Sequence, residues 1–127
     1  MMFPKETRIE DKAYRERPKH ELGLQCENCL GSLCPAETVV GAHPRPGTYS
    51  GLATKPDDRL IIFLGFNCHQ IQENGGVQWL AKFLITRMLK LPWPEDDPPT
   101  DMEALWLVKH CFWPLRIRMY DQWKAKQ

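Results

Sequence analysis

Cysteines and histidines carry most of the chemistry this sequence could do. Cys26, Cys29 and Cys34 fall within nine residues, in CENCLGSLC, and a fourth thiol, Cys68, stands far downstream beside His69. Zinc takes four thiolate or imidazole ligands in a tetrahedron, usually from two tight turns. Cys26-x-x-Cys29 is the usual form of the first turn. GFNC should be the second, yet it offers Cys68 alone, because Gly65 stands where its partner thiol would be. A four-thiolate site therefore needs Cys26, Cys29 and Cys34 together with Cys68. The alternative is a set of small buried apolar groups with incidental spacing. Cys111 lies in an apolar segment and reads as core.

His43 and His69 each follow an apolar stretch, and the segment between them carries Arg45, Lys55, Asp57 and Asp58. Neutral imidazole can take a proton from water at pH 7. A second imidazole with a carboxylate can hold a divalent cation, which stabilises charge on a phosphate and on its leaving oxygen. Arg45 and Lys55 would then have a phosphodiester to contact. Without such a ligand they are ordinary loop cations.

The elements that must position these groups follow from pattern. Residues 1–25 are polar and rich in Lys and Arg, with Pro4 and Pro18, and read as a basic arm ordered only where it packs. The thiol stretch comes next. ETVVGAH predicts a short strand ending at His43, and PRPGTYSGLATKPDD a loop. RLIIFLGF is continuously apolar, as in a strand buried on both faces. NCHQIQEN predicts a short helix with Asn67 as N-cap, broken by Gly75 and Gly76. VQWLAKFLITRMLKL places Val77, Leu80, Leu84, Met88 and Leu91 on one helical face. PWPEDDPP forbids helix. Thr100 with Glu103 three residues on forms a capping box, and Pro114 begins or kinks a last amphipathic helix.

Length and charge bound the rest. A chain of 127 residues makes one compact unit small enough for a metal staple to help it. Its 17 basic and 16 acidic residues nearly cancel, so nonspecific nucleic-acid affinity should be weak and steeply lost with salt. No apolar run approaches the roughly 18–20 residues that span a bilayer, and MMFPKETRIE lacks the apolar core of a signal peptide. The expectation is a cytoplasmic protein without membrane contact, in a reducing compartment where thiols favour metal over disulfides.

The composite ETVVGAHPRPGTYSGLATKPDD…CH resembles the HNH endonucleases of the ββα-metal finger class, and more closely the small nuclease-like proteins of lambdoid phages and prophages. In that pattern a strand ends in Ala-His-x-Arg. A Gly-containing loop, Thr-Lys-Pro-x-Asp, an apolar strand and Cys-x-x-Cys-His follow. The matching positions are Ala42, His43, Arg45, Gly51, Thr54, Lys55, Pro56, Asp58, Cys68 and His69, with Cys26 and Cys34 as the upstream thiol pair and Glu37-Thr38 before the strand. The likeness covers roughly residues 26–73.

The resemblance implies an α+β fold: a ββα-metal (HNH) finger with a thiol knuckle over residues 26–75, followed by a helical extension over 76–127. It implies single-metal hydrolysis of DNA phosphodiester bonds, with His43 as general base and His69 ligating a catalytic Mg²⁺, Mn²⁺ or Zn²⁺. Asp58 would either ligate that cation or orient His43, and Arg45 and Lys55 would contact phosphate. Cys26, Cys29, Cys34 and Cys68 would form a separate structural Zn²⁺ knuckle. Gly65 departs from the pattern, so Cys29 substitutes for the missing thiol or the zinc is lost. Ala42 stands where many HNH proteins carry a further metal ligand. In host cytoplasm the substrate would be DNA, structured or bound with help from a partner. A different reading is a zinc-stapled, non-catalytic module whose aromatic helices (Trp79, Trp93, Trp106, Phe112, Trp113, Tyr120 and Trp123) dock a protein.

Overall fold

The computed structural model describes residues 9–44 and 57–127, and Arg45, Gly51, Thr54, Lys55 and Pro56 lie outside them. Two short helical turns, α1 (Lys12–Arg15) and α2 (Arg17–His20), precede the thiol stretch. Strands β1 (Val40–Ala42) and β2 (Ile62–Leu64) follow, then a long helix α3 (Phe66–Phe83). Helices α4 (Asp101–Leu107) and α5 (Trp113–Ala125) complete the chain. The fold is α+β: a two-stranded antiparallel sheet, pairing Val40 with Leu64, Gly41 with Phe63 and Ala42 with Ile62, packed among helices.

As its unbroken apolar run predicts, β2 is buried along its whole length. One edge bonds β1. The other is covered by Glu27, whose N–H donates to Phe63 O at 2.8 Å while its carboxylate accepts from Phe63 N at 2.7 Å. Arg116 of α5, fully buried, closes this arrangement. Its Nη1 and Nη2 reach the two oxygens of Glu27 at 2.9 and 2.8 Å, and Nη2 also donates to Ile61 O. The C-terminal helix is thereby fastened to the residue next to Cys26.

One buried cluster joins Tyr14, the thiols, β2, α3 and α5. The segment before Cys26 thus contributes to it through Tyr14, which packs edge-on to Phe63, Tyr120 and Trp123, with centroids 5.0–5.4 Å apart. Arg17 lies over the Tyr14, Phe63 and Trp123 rings.

Several local expectations meet a physical adjustment. The N-cap of α3 is Gly65, not Asn67. Thr38 Oγ1 accepts from Phe66 N at 3.2 Å and so does the capping from a distant segment, which frees Asn67 to donate to Leu33 O at 2.8 Å. The glycine break appears as a kink at Gly76 (φ 60°, ψ −147°), with helix on both sides. Beyond it Val77, Leu80 and Leu84 are buried, but Leu91 is exposed. A π-helical turn at Leu84–Met88 shifts the register, and Lys90, at φ 56°, ends the helix first. The Thr100–Glu103 capping box forms in full. Before Pro114 the chain widens into a π turn, Val108–Phe112, which accommodates a ring lacking the N–H that α-helix requires. No helix of the described residues is long and apolar enough to cross a membrane.

Candidate metal centre and the histidine beside it

The thiol stretch turns back on itself through Leu30 and Gly31, both at positive φ (56° and 93°), which wraps the backbone around Cys29. Sγ atoms of Cys26, Cys29, Cys34 and Cys68 all lie within 4.8 Å of one another, and all four residues are buried. A tetrahedral zinc site with 2.3 Å bonds has edges of roughly 3.8 Å, so a small contraction would seat the ion. All four sequence-predicted thiols are brought together. Among the described residues they are the one group of three or more ligating side chains close enough to hold a metal ion.

Gly65 explains how a second turn with one thiol still makes four. A Cβ at position 65 would lie 2.1 Å from Cys34 Cβ and 2.6 Å from Cys34 Sγ. The space of the absent side chain is filled by Cys34, arriving from another part of the chain.

The electrostatics favour a cation. Backbone N–H groups converge on the sulfurs: Leu33 N donates to Cys29 Sγ at 3.4 Å, Cys68 N to Cys34 Sγ at 3.5 Å, and the Asn28 side-chain amide to Cys68 Sγ at 3.4 Å. Burial pushes the Cys68 thiol up to about 12, and raises Cys26. Burial also opposes ionisation of Cys29, but the N–H groups of Leu33, Gly31 and Cys34 outweigh it and bring that thiol down to about 6. A dry cluster with some thiols held neutral and one ready to ionise gains most from a divalent ion, which lets the others release their protons. Cys111, half-buried on the margin of the core, takes no part.

His43 follows the last residue of β1. Its Nε2 lies 2.8 Å from Oδ1 of Asp58, a carboxylate only 2% exposed, while the imidazole is 31% exposed. Asp58 begins a short 3₁₀ turn capped by the side chain of Asp57. Its second oxygen, Oδ2, accepts from Asp11 N at 2.6 Å and faces Arg15 Nε at 3.4 Å. Both Asp58 oxygens are thus engaged by protein groups, Oδ1 by His43 and Oδ2 by Asp11 and Arg15. In the tautomer whose Nε2 carries the proton, that nitrogen donates to Asp58 Oδ1 and Nδ1 keeps the lone pair.

His69 sits in the first turn of α3, one-third exposed, with Nε2 3.6 Å from Glu73 Oε1 one turn along the same helix. It joins neither the thiol cluster nor the His43–Asp58 pair in a three-ligand group.

Sequence reasoning missed the residues that hold Asp58. Asp11 caps α1 through Tyr14 N, and its own carboxylate accepts from Tyr120 OH at 2.6 Å and Lys124 Nζ at 3.3 Å. Burial works to raise the Asp11 pKa, yet these hydrogen bonds prevail and hold it below the usual value. A capping Asp ahead of KAYR was the available signal; the long-range partners left none. No known protein family, curated protein or solved structure matches the chain.

Proposed function

We propose that this protein is a metal-dependent, HNH-type endonuclease or nicking enzyme that hydrolyses DNA phosphodiester bonds, and that it is phage or prophage encoded. The observation that carries the reading is the partly exposed His43 bonded at 2.8 Å to the buried Asp58, at the end of a strand in a strand–strand–helix unit beside which four thiols cluster. Zinc held by the thiol cluster would have a structural part, because all four cysteines are buried.

In the proposed reaction Asp58 holds the Nε2 proton of His43, so Nδ1 accepts a proton from the attacking water. The water oxygen forms a bond to phosphorus as the bond to the leaving 3′ oxygen breaks, and that oxygen is then protonated from solvent. His69, with Glu73 one turn along α3, would be the side chains to hold a divalent cation. Such an ion stabilises negative charge on the phosphate and the leaving oxygen. Arg45 and Lys55 are assigned to phosphate contact by the sequence pattern alone.

The test is Mg²⁺- or Mn²⁺-dependent nicking of supercoiled plasmid by the purified protein and by His43→Ala. The variant should lose cleavage while keeping its zinc and its fold. Nicking by His43→Ala at the parent rate would remove His43 from the mechanism.

A second reading, the zinc-stapled docking module, is favoured by one feature. Met102 and Trp106, one turn apart on α4, are 69% and 56% exposed, and the His110 ring lies tilted against Trp106 with 4.7 Å between ring centroids. A stable protein complex with zinc bound and no metal-dependent cleavage would select it.

A further inference from the structure

We infer that Arg15, outside the finger-like unit, is the phosphate-gripping residue of the His43 site, so that Arg15 and His43 together bind one phosphodiester group. The inference rests on the nuclease reading for its ligand and names a side chain that reading does not contain. Asp58 holds both partners from behind: Oδ1 meets His43 Nε2 and Oδ2 meets Arg15 Nε. Each is anchored by one nitrogen and leaves the rest of its polar edge uncommitted. Arg15 is 41% exposed, and its two terminal nitrogens have no partner among the described residues. An Arg fork with a free edge is the donor geometry that matches two oxygens of a phosphate.

The backbone that carries the fork is also held in place. Asp11 N bonds Asp58 at the start of α1, and at its end Arg15 O lies 2.9 Å from where a Gly41 Cβ would be. Only a glycine in β1 lets α1 approach so closely, and that approach sets Arg15 beside the strand that ends in His43. The competing carboxylate next door is already taken, since Asp57 is paired with Arg59 at 2.7 Å. Asp58 engages Arg15 only through Nε, so an incoming anion meets the guanidinium's free edge and an imidazole rather than a bare carboxylate.

The experiment uses the full-length zinc-loaded protein. Side-chain ¹H–¹⁵N spectra of His43 are followed while inorganic phosphate or the dinucleotide thymidylyl-(3′→5′)-thymidine is added, the first reporting an anion site and the second a diester site. The parent should show saturable His43 shifts. Arg15→Gln should weaken binding about tenfold or more, Arg15→Lys about threefold because charge remains without the fork, and the surface control Arg118→Gln not at all. Zinc content and far-UV circular dichroism establish that each variant is folded; should Arg15→Gln not fold, Arg15→Lys is read in its place. Absence of saturable shifts in the parent, or Arg15 variants that bind as the parent does, would overturn the assignment. Saturable, Arg15-dependent binding in a protein that nicks no DNA would leave the site standing and remove the nuclease reading.

Discussion

Gly65 and Cys34 share one side-chain position: the Cβ that the glycine lacks would fall 2.1 Å from the cysteine's own. The thiol a second Cys-x-x-Cys would have supplied from residue 65 is supplied instead from residue 34. Gly65→Ala should therefore expel Cys34 and lose zinc, measured as metal per chain after non-chelating purification. Cys34→Gly should lose it too, whereas Cys34→Gly with Gly65→Cys should recover most of it. A Gly65→Ala protein with full zinc would contradict this account of the site.

Zinc uptake should be strongly pH-dependent. Cys26 and Cys68 are held neutral by burial, Cys68 up to about 12, so each must release a proton on binding. At least two protons leave near neutral pH, and apparent affinity should rise about a hundredfold or more per pH unit between pH 6 and 7. Competition with a chromophoric chelator gives the slope, and a slope below tenfold per unit would exclude a thiolate-only site.

Asp58→Asn should keep the fold yet cut nicking by about a hundredfold or more, with substrate binding little changed. An Asn amide donates to Nε2 and drives the proton onto Nδ1, the nitrogen proposed to act as base; a comparable exchange costs a serine protease far more. Single-turnover nicking rates under saturating enzyme decide the matter, and an unchanged rate would free His43 from Asp58.

Removing the partner of buried Arg116 should be costly. Glu27→Ala strands a guanidinium that is 1% exposed and uncovers the edge of β2. A loss of about 3–5 kcal/mol is expected in urea unfolding. Loss below about 1 kcal/mol would mean that water replaces the carboxylate.

Tyr120→Phe should weaken the fold in a pH-dependent way. Against burial, the Tyr120 hydroxyl, Tyr14 N–H and Lys124 hold Asp11 below its ordinary 3.8. A lowered carboxylate pKa stabilises the fold fully above the unfolded value, and that stabilisation fades as pH falls through the folded one. The variant should lose about 1.5–3 kcal/mol at pH 7, typical of a hydrogen bond to a charged group. Its deficit should shrink toward pH 3. An equal deficit at both pH values would exonerate Asp11.

What was legible in the sequence was whatever depends on nearby residues. The Cys26–Cys29 turn, the short strand before His43, the buried run at Ile62–Leu64 and the Thr100–Glu103 box all rest on local pattern, and each is present. The thiol set was legible as a candidate, but the geometry that completes it was not. Nothing in GFNC says that Cys34 will fill the vacancy at Gly65, because the two meet only after the chain has folded. Asp11, Arg15 and Tyr120 were hidden for the same reason. They sit in segments that looked like a solvated arm and an amphipathic helix, and their meaning comes from Asp58, 47 residues from Asp11.

Asp11 and Tyr120 are also 109 residues apart, and this separation has a temporal side. On a ribosome, a chain that has emerged as far as residue 100 already carries His43, Asp58, His69 and all four clustered thiols. It still lacks Tyr120 and Lys124, which brace Asp11 behind Asp58. The side-chain contacts that brace Asp11 therefore form only when synthesis has passed those residues, and a stalled or truncated product would hold His43 and Asp58 without that bracing.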